Sequence, residues 1–201
     1  METELITNAD WILTKNEIIK KVKQLLGKLA EEQRKILESI KQQLPAEVLT
    51  LSPKISRGEN YKGLPYLMLD YPRCFEKENV FAIRTMFWWG NHFSTALQLA
   101  GHYKKLYEQP VLSAYGLLKK KNAFYCTSDA PWEHHFEKTN YSPVEECGEP
   151  VFKKSILEKK FIKLAKKIPV QNWDDAPVQL LDDFRFFTEI AVNASYQLPS
   201  R

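Results

Sequence analysis

The stretch FAIRTMFWWGNHFSTALQLAG, residues 81–101, places Arg84 inside an apolar and aromatic run. A guanidinium that leaves water without a partner is costly, so Arg84 needs a carboxylate, backbone carbonyls, a solvated cleft or an anionic ligand. One interpretation is a structural ion pair with Asp70 or Asp183. The other is a pocket in which Arg84 binds a carboxylate or phosphate. Structural networks contain buried charges as readily as functional sites do.

The pair Gly90-Asn91 has the composition of a two-residue β-hairpin loop, because glycine readily adopts a positive φ. A loop of this length pairs Arg84 with Leu97 and places Arg84, Trp88 and Thr95 on one face of the hairpin. Neither face is polar enough to meet water, so both should be covered by other elements. Arg84, Trp88 and Thr95 are therefore the predicted binding site for a small anionic or amphipathic ligand.

Six side chains have donor atoms that metals prefer: His92, His102, His134, His135, Cys126 and Cys147. The adjacent His134 and His135 diverge on a helix or a strand, so one ion could hardly take both from a regular element. The sequence also lacks His-x-x-x-His and Cys-x-x-Cys pairs, which are typical of zinc sites. We predict no metal site and no cofactor.

Acid–base catalysis is an alternative function for this chain. The segment 126–147 contains His134 and His135 close to carboxylates, and one of these groups could serve a hydrolase or a transferase as acid or base. No local motif indicates a particular reaction. The chain has only seven glycines, and it lacks both a Gly-x-Ser-x-Gly nucleophile elbow and a phosphate-binding glycine loop. Catalytic groups can assemble from distant positions, so an enzyme remains an alternative to a binding protein.

The segment VFKKSILEKKFIKLAKKI contains seven lysines and one glutamate. Its apolar positions favour an amphipathic helix over 151–168 with a cationic outer face. Four of its lysines form a candidate surface for a polyanion or an acidic partner: Lys159, Lys160, Lys163 and Lys167. Lysine without arginine, and without interleaved exposed aromatic residues, is a poor nucleic-acid footprint, so nucleic acid is not the expected partner. Acidic residues elsewhere in the chain favour pairing within the protein.

Composition limits the fold that positions these side chains. A chain of 201 residues with 44% hydrophobic residues buries a substantial core, and we predict a single domain over 1–201. The net charge of +4 is a weak argument for a polyanionic partner. Three cysteines without a close-spaced pair are typical of free thiols in a reducing compartment. The start METELITNAD does not resemble a secretory signal and no window is apolar enough for a membrane span, so we expect a cytoplasmic protein.

Helical patterns flank a central β-rich region. Thr14-Lys15-Asn16-Glu17 has capping-box spacing, which predicts a long helix that starts near residue 14 and ends before Pro45. Its predicted buried stripe is Ile18, Val22, Leu25, Leu29, Ile36 and Ile40. Residues 45–101 read as antiparallel strands, and a further helix is predicted after Asp174 or Asp175. The predicted fold class is α+β, with a long N-terminal helix, an antiparallel meander of four to five strands, and C-terminal helices packed on the sheet.

Overall fold

The computed structural model describes residues 7–193 and Thr3. The helices are α1 (Asp10–Ser39), α2 (His102–Ser113), α3 (Tyr115–Lys120), α4 (Glu149–Glu158) and α5 (Ala176–Asn193). The strands are β1 (Lys54–Tyr61), β2 (Leu64–Phe75), β3 (Val80–Trp88), β4 (His92–Ala100), β5 (Phe124–Cys126), β6 (Tyr141–Pro143) and β7 (Phe161–Pro169). The fold is α+β, and the predicted order of a long helix, a meander and C-terminal helices is confirmed.

The strands form one antiparallel sheet in the order β1-β2-β3-β4-β7-β5-β6. β1 to β4 are the predicted meander. The sheet then continues past β4, because β7 pairs with β4 along its whole length and the short strands β5 and β6 complete that side. Among the described residues, no helix is long and apolar enough to cross a membrane.

The predicted helix over 151–168 is wrong in its second half. α4 ends at Glu158, and residues 161–169 form β7. Alternate residues of β7 face the helices: Ile162, Leu164 and Ile168 pack in the main core, and Lys166 between them pairs with Asp183 of α5. Their spacing of two fits a strand, while the same apolar residues also fit a helix of period 3.6. Pairing with β4 selects the strand.

α1 begins four residues earlier than predicted, at Asp10, and its first turn has no side-chain cap from Ala9. Its buried stripe is Ile19, Val22, Leu26, Leu29, Ala30, Gln33 and Leu37. The predicted stripe residues Ile18, Leu25 and Ile36 are only partly buried beside it. Each of them is adjacent in sequence to a buried apolar residue, so α1 has a wider apolar surface than the sheet covers. Packing against the sheet decided which side of this surface is buried.

The hairpin between β3 and β4 has a three-residue loop, Trp89 to Asn91, instead of the predicted two-residue loop. Trp88 pairs with His92, and Arg84 pairs with Ala96 instead of Leu97. A shift of one residue moves every side chain of one strand to the opposite face relative to its neighbour. The predicted grouping of Arg84 with Thr95 is therefore wrong.

The two faces of the sheet are covered differently. One face packs against α1, α2 and α5 and carries Phe87, Phe93 and Leu97 of the main core. The other face carries Arg84 and Trp88, and it lies under the irregular segment between β5 and β6. We call this segment, residues 127–140, the strap. Both faces of β3 and β4 are thus covered, and nearly all their residues are buried.

Two glycine substitutions test the backbone geometry of this fold. Gly101 has a φ of +61°, and a Cβ there would lie 2.2 Å from Asn79 Oδ1 and 2.5 Å from the Glu78 carbonyl oxygen. We expect Gly101→Ala to lower the free energy of unfolding by at least about 1 kcal/mol. Gly27 lies inside α1 with no atom within 4 Å of the same position, so Gly27→Ala should raise it by about 0.5–1 kcal/mol. Urea unfolding measures both, and shifts of the same sign would contradict these assignments.

Candidate functional site

The candidate functional site is the face of the sheet under the strap. Strand pairing brings together six polar or aromatic residues on this face: Asp70, Arg84, Trp88, His92, Gln98 and Lys163. The predicted site residues Arg84 and Trp88 belong to this set. Thr95 does not, because it pairs with Thr85 and lies on the helix-covered face with Phe93 and Leu97.

Arg84 is held by an ion pair and by two aromatic rings. Its Nε donates to Asp70 Oδ1 at 2.7 Å, and the two side chains are 13% and 8% exposed. Its guanidinium carbon lies 5.5 Å from the centre of the Phe75 ring and 5.4 Å from that of Trp132. The structural ion pair with Asp70 is therefore confirmed. Arg84 cannot be the unpaired anchor that the pocket interpretation required.

Lys163 is the most buried cation of the site, with 1% of its surface exposed. Its ammonium donates to the carbonyl oxygens of Pro131 at 2.9 Å and Glu133 at 2.5 Å, both in the strap. Among the described residues it forms no ion pair with a carboxylate. Burial lowers the pKa of Lys163 to about 7, and the positive charge of Arg84 adds to this effect.

Two histidines of the site are held in their neutral form. Burial lowers the pKa of His134 well below its usual value, and the positive charges of Lys163 and Arg84 lower it further. Burial also lowers the pKa of His92 to about 4, with a smaller contribution from the positive charge of Lys167. His134 comes from the segment that the sequence assigned to acid–base chemistry, and it lies within the electrostatic reach of the same cations.

Tyr61 of β1 connects the sheet to the strap. Its hydroxyl oxygen accepts hydrogen bonds from the backbone N–H groups of His134 at 2.7 Å and His135 at 3.1 Å. The same hydroxyl donates to Glu133 Oε2 at 2.8 Å. Burial raises the pKa of Tyr61 to about 12, so the hydroxyl keeps its proton and can make all three bonds.

Several polar atoms on this face are buried and have no hydrogen-bond partner within the described part of the chain. They are Arg84 Nη1, Trp88 Nε1, His92 Nε2 and Gln98 Oε1. Most buried polar groups of native proteins are hydrogen-bonded, so a group of such atoms on one face needs an explanation. The arginine and indole nitrogens are donors, and His92 Nε2 can be one. Together with the cations, they form an environment that favours an anion.

The four lysines of the predicted polyanion surface lie in different environments. Lys159 donates to Asp129 Oδ1 at 2.9 Å, and Lys160 is exposed between α4 and β7. Lys163 is buried under the strap. Lys167 is exposed, and its ammonium lies above the rings of Phe124 and Phe136. The end of the helix at Glu158 removes the single helical face that would have presented all four.

The three cysteines are buried free thiols. In the described part of the chain, no group of three or more His, Cys, Asp or Glu residues could hold a metal ion. Comparisons with known protein families, curated proteins and solved structures found no match. Function must therefore be inferred from the site itself.

Sequence reasoning missed the roles of Lys163, His92 and Tyr61. Lys163 alternates with Ile162 and Leu164, and this alternation is the signal that could have placed it on the face of a strand opposite the apolar residues. Tyr61 gave no comparable signal, because its contact with the strap joins residues that are more than seventy positions apart.

Replacing Tyr61 with phenylalanine tests how the strap is held. The substitution keeps the ring but leaves the backbone N–H groups of His134 and His135 without their acceptor. We expect faster hydrogen exchange of these two amides and a loss of about 1–3 kcal/mol in the free energy of unfolding. The neighbouring Tyr66→Phe is the control, because the Tyr66 hydroxyl takes no part in these bonds. Equal exchange rates in the two variants would show that Tyr61 does not hold the strap.

The low pKa of Lys163 predicts how stability depends on pH. Its folded pKa of about 7 lies below the ordinary value of 10.5, so the unfolded chain binds more protons between these two values. Stability should therefore rise with pH through about pH 7 to 9, by about 1 kcal/mol per pH unit at the steepest, and fall as pH decreases through this window.

The variant Lys163→Met should lose this slope, while the exposed control Lys160→Met should keep it. Urea unfolding at a series of pH values measures both. A slope that persists unchanged in Lys163→Met would show that the lysine is not the group responsible.

Proposed function

We propose that this protein binds a small anionic ligand on the strap-covered face of the sheet, with the strap as a lid. The observation that carries this proposal is the group of buried polar atoms on this face without partners in the described part of the chain, including the donors Arg84 Nη1 and Trp88 Nε1, which share the face with the buried ammonium of Lys163. A few convergent polar groups in an otherwise apolar environment are typical of small-ligand sites.

The charge balance of the face supports an anion. Arg84, Lys163 and Lys167 are cations, and the carboxylates nearest to them are Asp70 and Glu133. Asp70 is already paired with Arg84, and Glu133 accepts a hydrogen bond from a tyrosine. A carboxylate or phosphate group would neutralise the excess positive charge and accept hydrogen bonds from the free donors. In this arrangement Lys163 is the main anchor and Arg84 contributes a second donor.

The strap has the properties of a lid. It is a long segment with little regular structure, and such segments in compact domains are often functional. Hydrogen bonds with Lys163, Tyr61 and Lys159 hold it in place, and Phe136 of the strap packs on Phe124 and Tyr141. Trp132 of the strap is 53% exposed and packs on Phe75 with 6.1 Å between ring centres. These rings flank Arg84 and would form the entrance when the strap opens.

An enzyme on the same face is the second candidate, as a hydrolase or a transferase. The observation that favours it is the closeness of an acid, a base and a proton-sharing hydroxyl: Glu133 and His134 of the strap lie beside Tyr61, and Lys163 has a pKa of about 7. An amine that exchanges its proton near neutral pH is suited to general-base or nucleophilic chemistry. Ligand binding and catalysis would then use the same lid.

The experiment is mass spectrometry of small molecules that remain bound through purification, combined with thermal unfolding in phosphate, pyrophosphate and citrate. We expect a bound anion, or a rise in Tm beyond that caused by sodium chloride of equal ionic strength. Trp88→Phe, which removes one donor and keeps an aromatic ring, should weaken binding about tenfold. Lys163→Met should abolish it.

The matched control is Lys160→Met, which removes an exposed lysine close to the same strand and should leave binding unchanged. The proposal fails if no anion is retained and none of the three raises Tm, or if Lys163→Met binds as the unmodified protein does. If the retained molecule is converted over time, and Glu133→Gln binds it without converting it, the enzyme is the correct alternative.

A further inference from the structure

The groove between α1 and α5 lies on the helix-covered side of the sheet, away from the strap. It contains a cavity of about 580 Å³ whose floor is formed by Leu25, Leu29, Trp173 and Leu181. Val178 lies at its edge and is 66% exposed. Small-ligand sites are mainly apolar clefts of about 300–1,000 Å³, so both the size and the lining of this groove fit a small molecule.

Trp173 gives the groove a rigid wall. Its ring centre lies 6.0 Å from that of Phe87 and 5.4 Å from that of Phe93, and it meets both rings edge to face. Phe87 and Phe93 belong to the main core, so the sheet beneath holds the indole in place. A wall that is already ordered favours binding, because little side-chain freedom is lost when a ligand arrives.

The charged side chains that line the groove are Lys21, Lys28, Arg185 and Glu32. Glu32 forms an ion pair of 2.6 Å with a lysine of α1, and Arg185 forms one of 2.9 Å with an aspartate of α5. Among the described residues, neither Lys21 nor Lys28 forms an ion pair with a carboxylate. The unmatched charge of the groove is therefore positive, and it lies on the α1 side.

Lys21 and Lys28 flank Leu25 on one face of α1. Leu25 is four residues after Lys21 and three residues before Lys28, and residues at these spacings are neighbours on a helix. The two lysines are seven residues apart, which corresponds to about 10 Å along the helix axis. Because the lysine side chain is long and flexible, both ammonium groups can approach one acid group above Leu25.

We propose that this groove binds a single-chain anionic amphiphile, an acyl chain with one carboxylate. The chain lies on the apolar floor, and the carboxylate lies between Lys21 and Lys28. Each methylene group that leaves water stabilises the complex. The two lysines favour a negative head group over a positive one. This site is on the opposite side of the sheet from the strap and does not depend on the function proposed above.

The size of the groove favours a small molecule over a larger partner. Eleven residues line it, whereas a stable protein–protein interface uses about 20–30 residues on each side. A flat membrane surface would meet the outer edges of α1 and α5 and would leave the concave floor between them uncovered. A single acyl chain can reach this floor.

Isothermal titration calorimetry of the full chain with dodecanoate, below the concentration at which micelles form, tests the site. We expect binding that weakens as sodium chloride is added, since salt screens the exposed lysines. Acetate has the same carboxylate without the chain and should not compete with dodecanoate. Dodecyltrimethylammonium has the same chain with a positive head group and should bind at least about tenfold more weakly.

Two variants locate the ligand in the groove. The double substitution Lys21→Gln with Lys28→Gln and the single substitution Val178→Asp should each raise the Kd for dodecanoate at least about tenfold. All three residues are exposed, so the fold should be unchanged, which circular dichroism checks. The control Lys20→Gln with Lys23→Gln removes the same charge from α1 outside the groove and should bind dodecanoate as the unmodified chain does.

Lys163→Met separates this site from the one under the strap. The variant should bind dodecanoate as the unmodified chain does, although it should lose the anion under the strap. The two proposals can therefore fail independently of each other.

Four outcomes would overturn the proposal. The first is that dodecanoate does not bind. The second is that dodecyltrimethylammonium binds as tightly, because the lysines would then not select the head group. The third is binding that both groove variants leave unchanged or that Lys163→Met abolishes, which would place the ligand elsewhere. The fourth is that an acidic amphipathic peptide, or vesicles of phosphatidylglycerol, displace dodecanoate and lose their own binding in the Lys21 and Lys28 double variant, since the occupant would then be a protein or a membrane.

Discussion

The burial of β3 and β4 on both faces is the constraint on which the rest of the structure depends. Their residues are almost all inaccessible to water, so any polar group in these strands needs a partner inside the protein. The face under the helices is mainly apolar, although Thr85 Oγ1 and Thr95 Oγ1 are buried there without a hydrogen-bond partner among the described residues. On the other face Arg84, His92 and Gln98 remain, and Lys163 joins them from β7. The strap and Asp70 supply part of the hydrogen bonding that these groups require.

The strap therefore combines a structural role with the candidate function. It satisfies Lys163 through two backbone carbonyls and is itself held by Tyr61, yet buried polar atoms beneath it, including the donors Arg84 Nη1 and Trp88 Nε1, remain unpaired among the described residues. Opening the strap would break these hydrogen bonds and the packing of Phe136 on Phe124 and Tyr141, but it would leave the strands β1 to β4 and β7 paired, so it costs less than unfolding the sheet. A face with unpaired donors under a cover that opens locally is an arrangement in which an anion could replace the contacts that the strap loses.

The apolar surface of α1 explains why the helix side also has an open surface. Adjacent apolar pairs such as Ile18-Ile19 and Leu25-Leu26 make this surface wider than a single stripe, and the sheet buries the side that contains Leu26. Leu25 then remains at the groove beside α5. The apolar groove and the proposed ligand site under the strap thus lie on opposite sides of the sheet.

The sequence by itself determined the element types with strong local signals: the long amphipathic α1, the meander, the last helix, the need of Arg84 for a partner, and Asp70 as one of its two named candidates. Such features depend on periodicity and on the cost of burying a charge, which are properties of neighbouring residues. Two features were decided by tertiary structure alone. The first is the register of the β3–β4 hairpin, which places Thr95 and Arg84 on opposite faces. The second is the strand at 161–169, which buries Lys163 instead of leaving it on a helix surface. A two-residue and a three-residue hairpin loop both satisfy the local preferences of residues 88–92, and a helix and a strand both fit the apolar pattern of residues 161–169. Only the packing of distant segments could therefore choose the loop length and the strand.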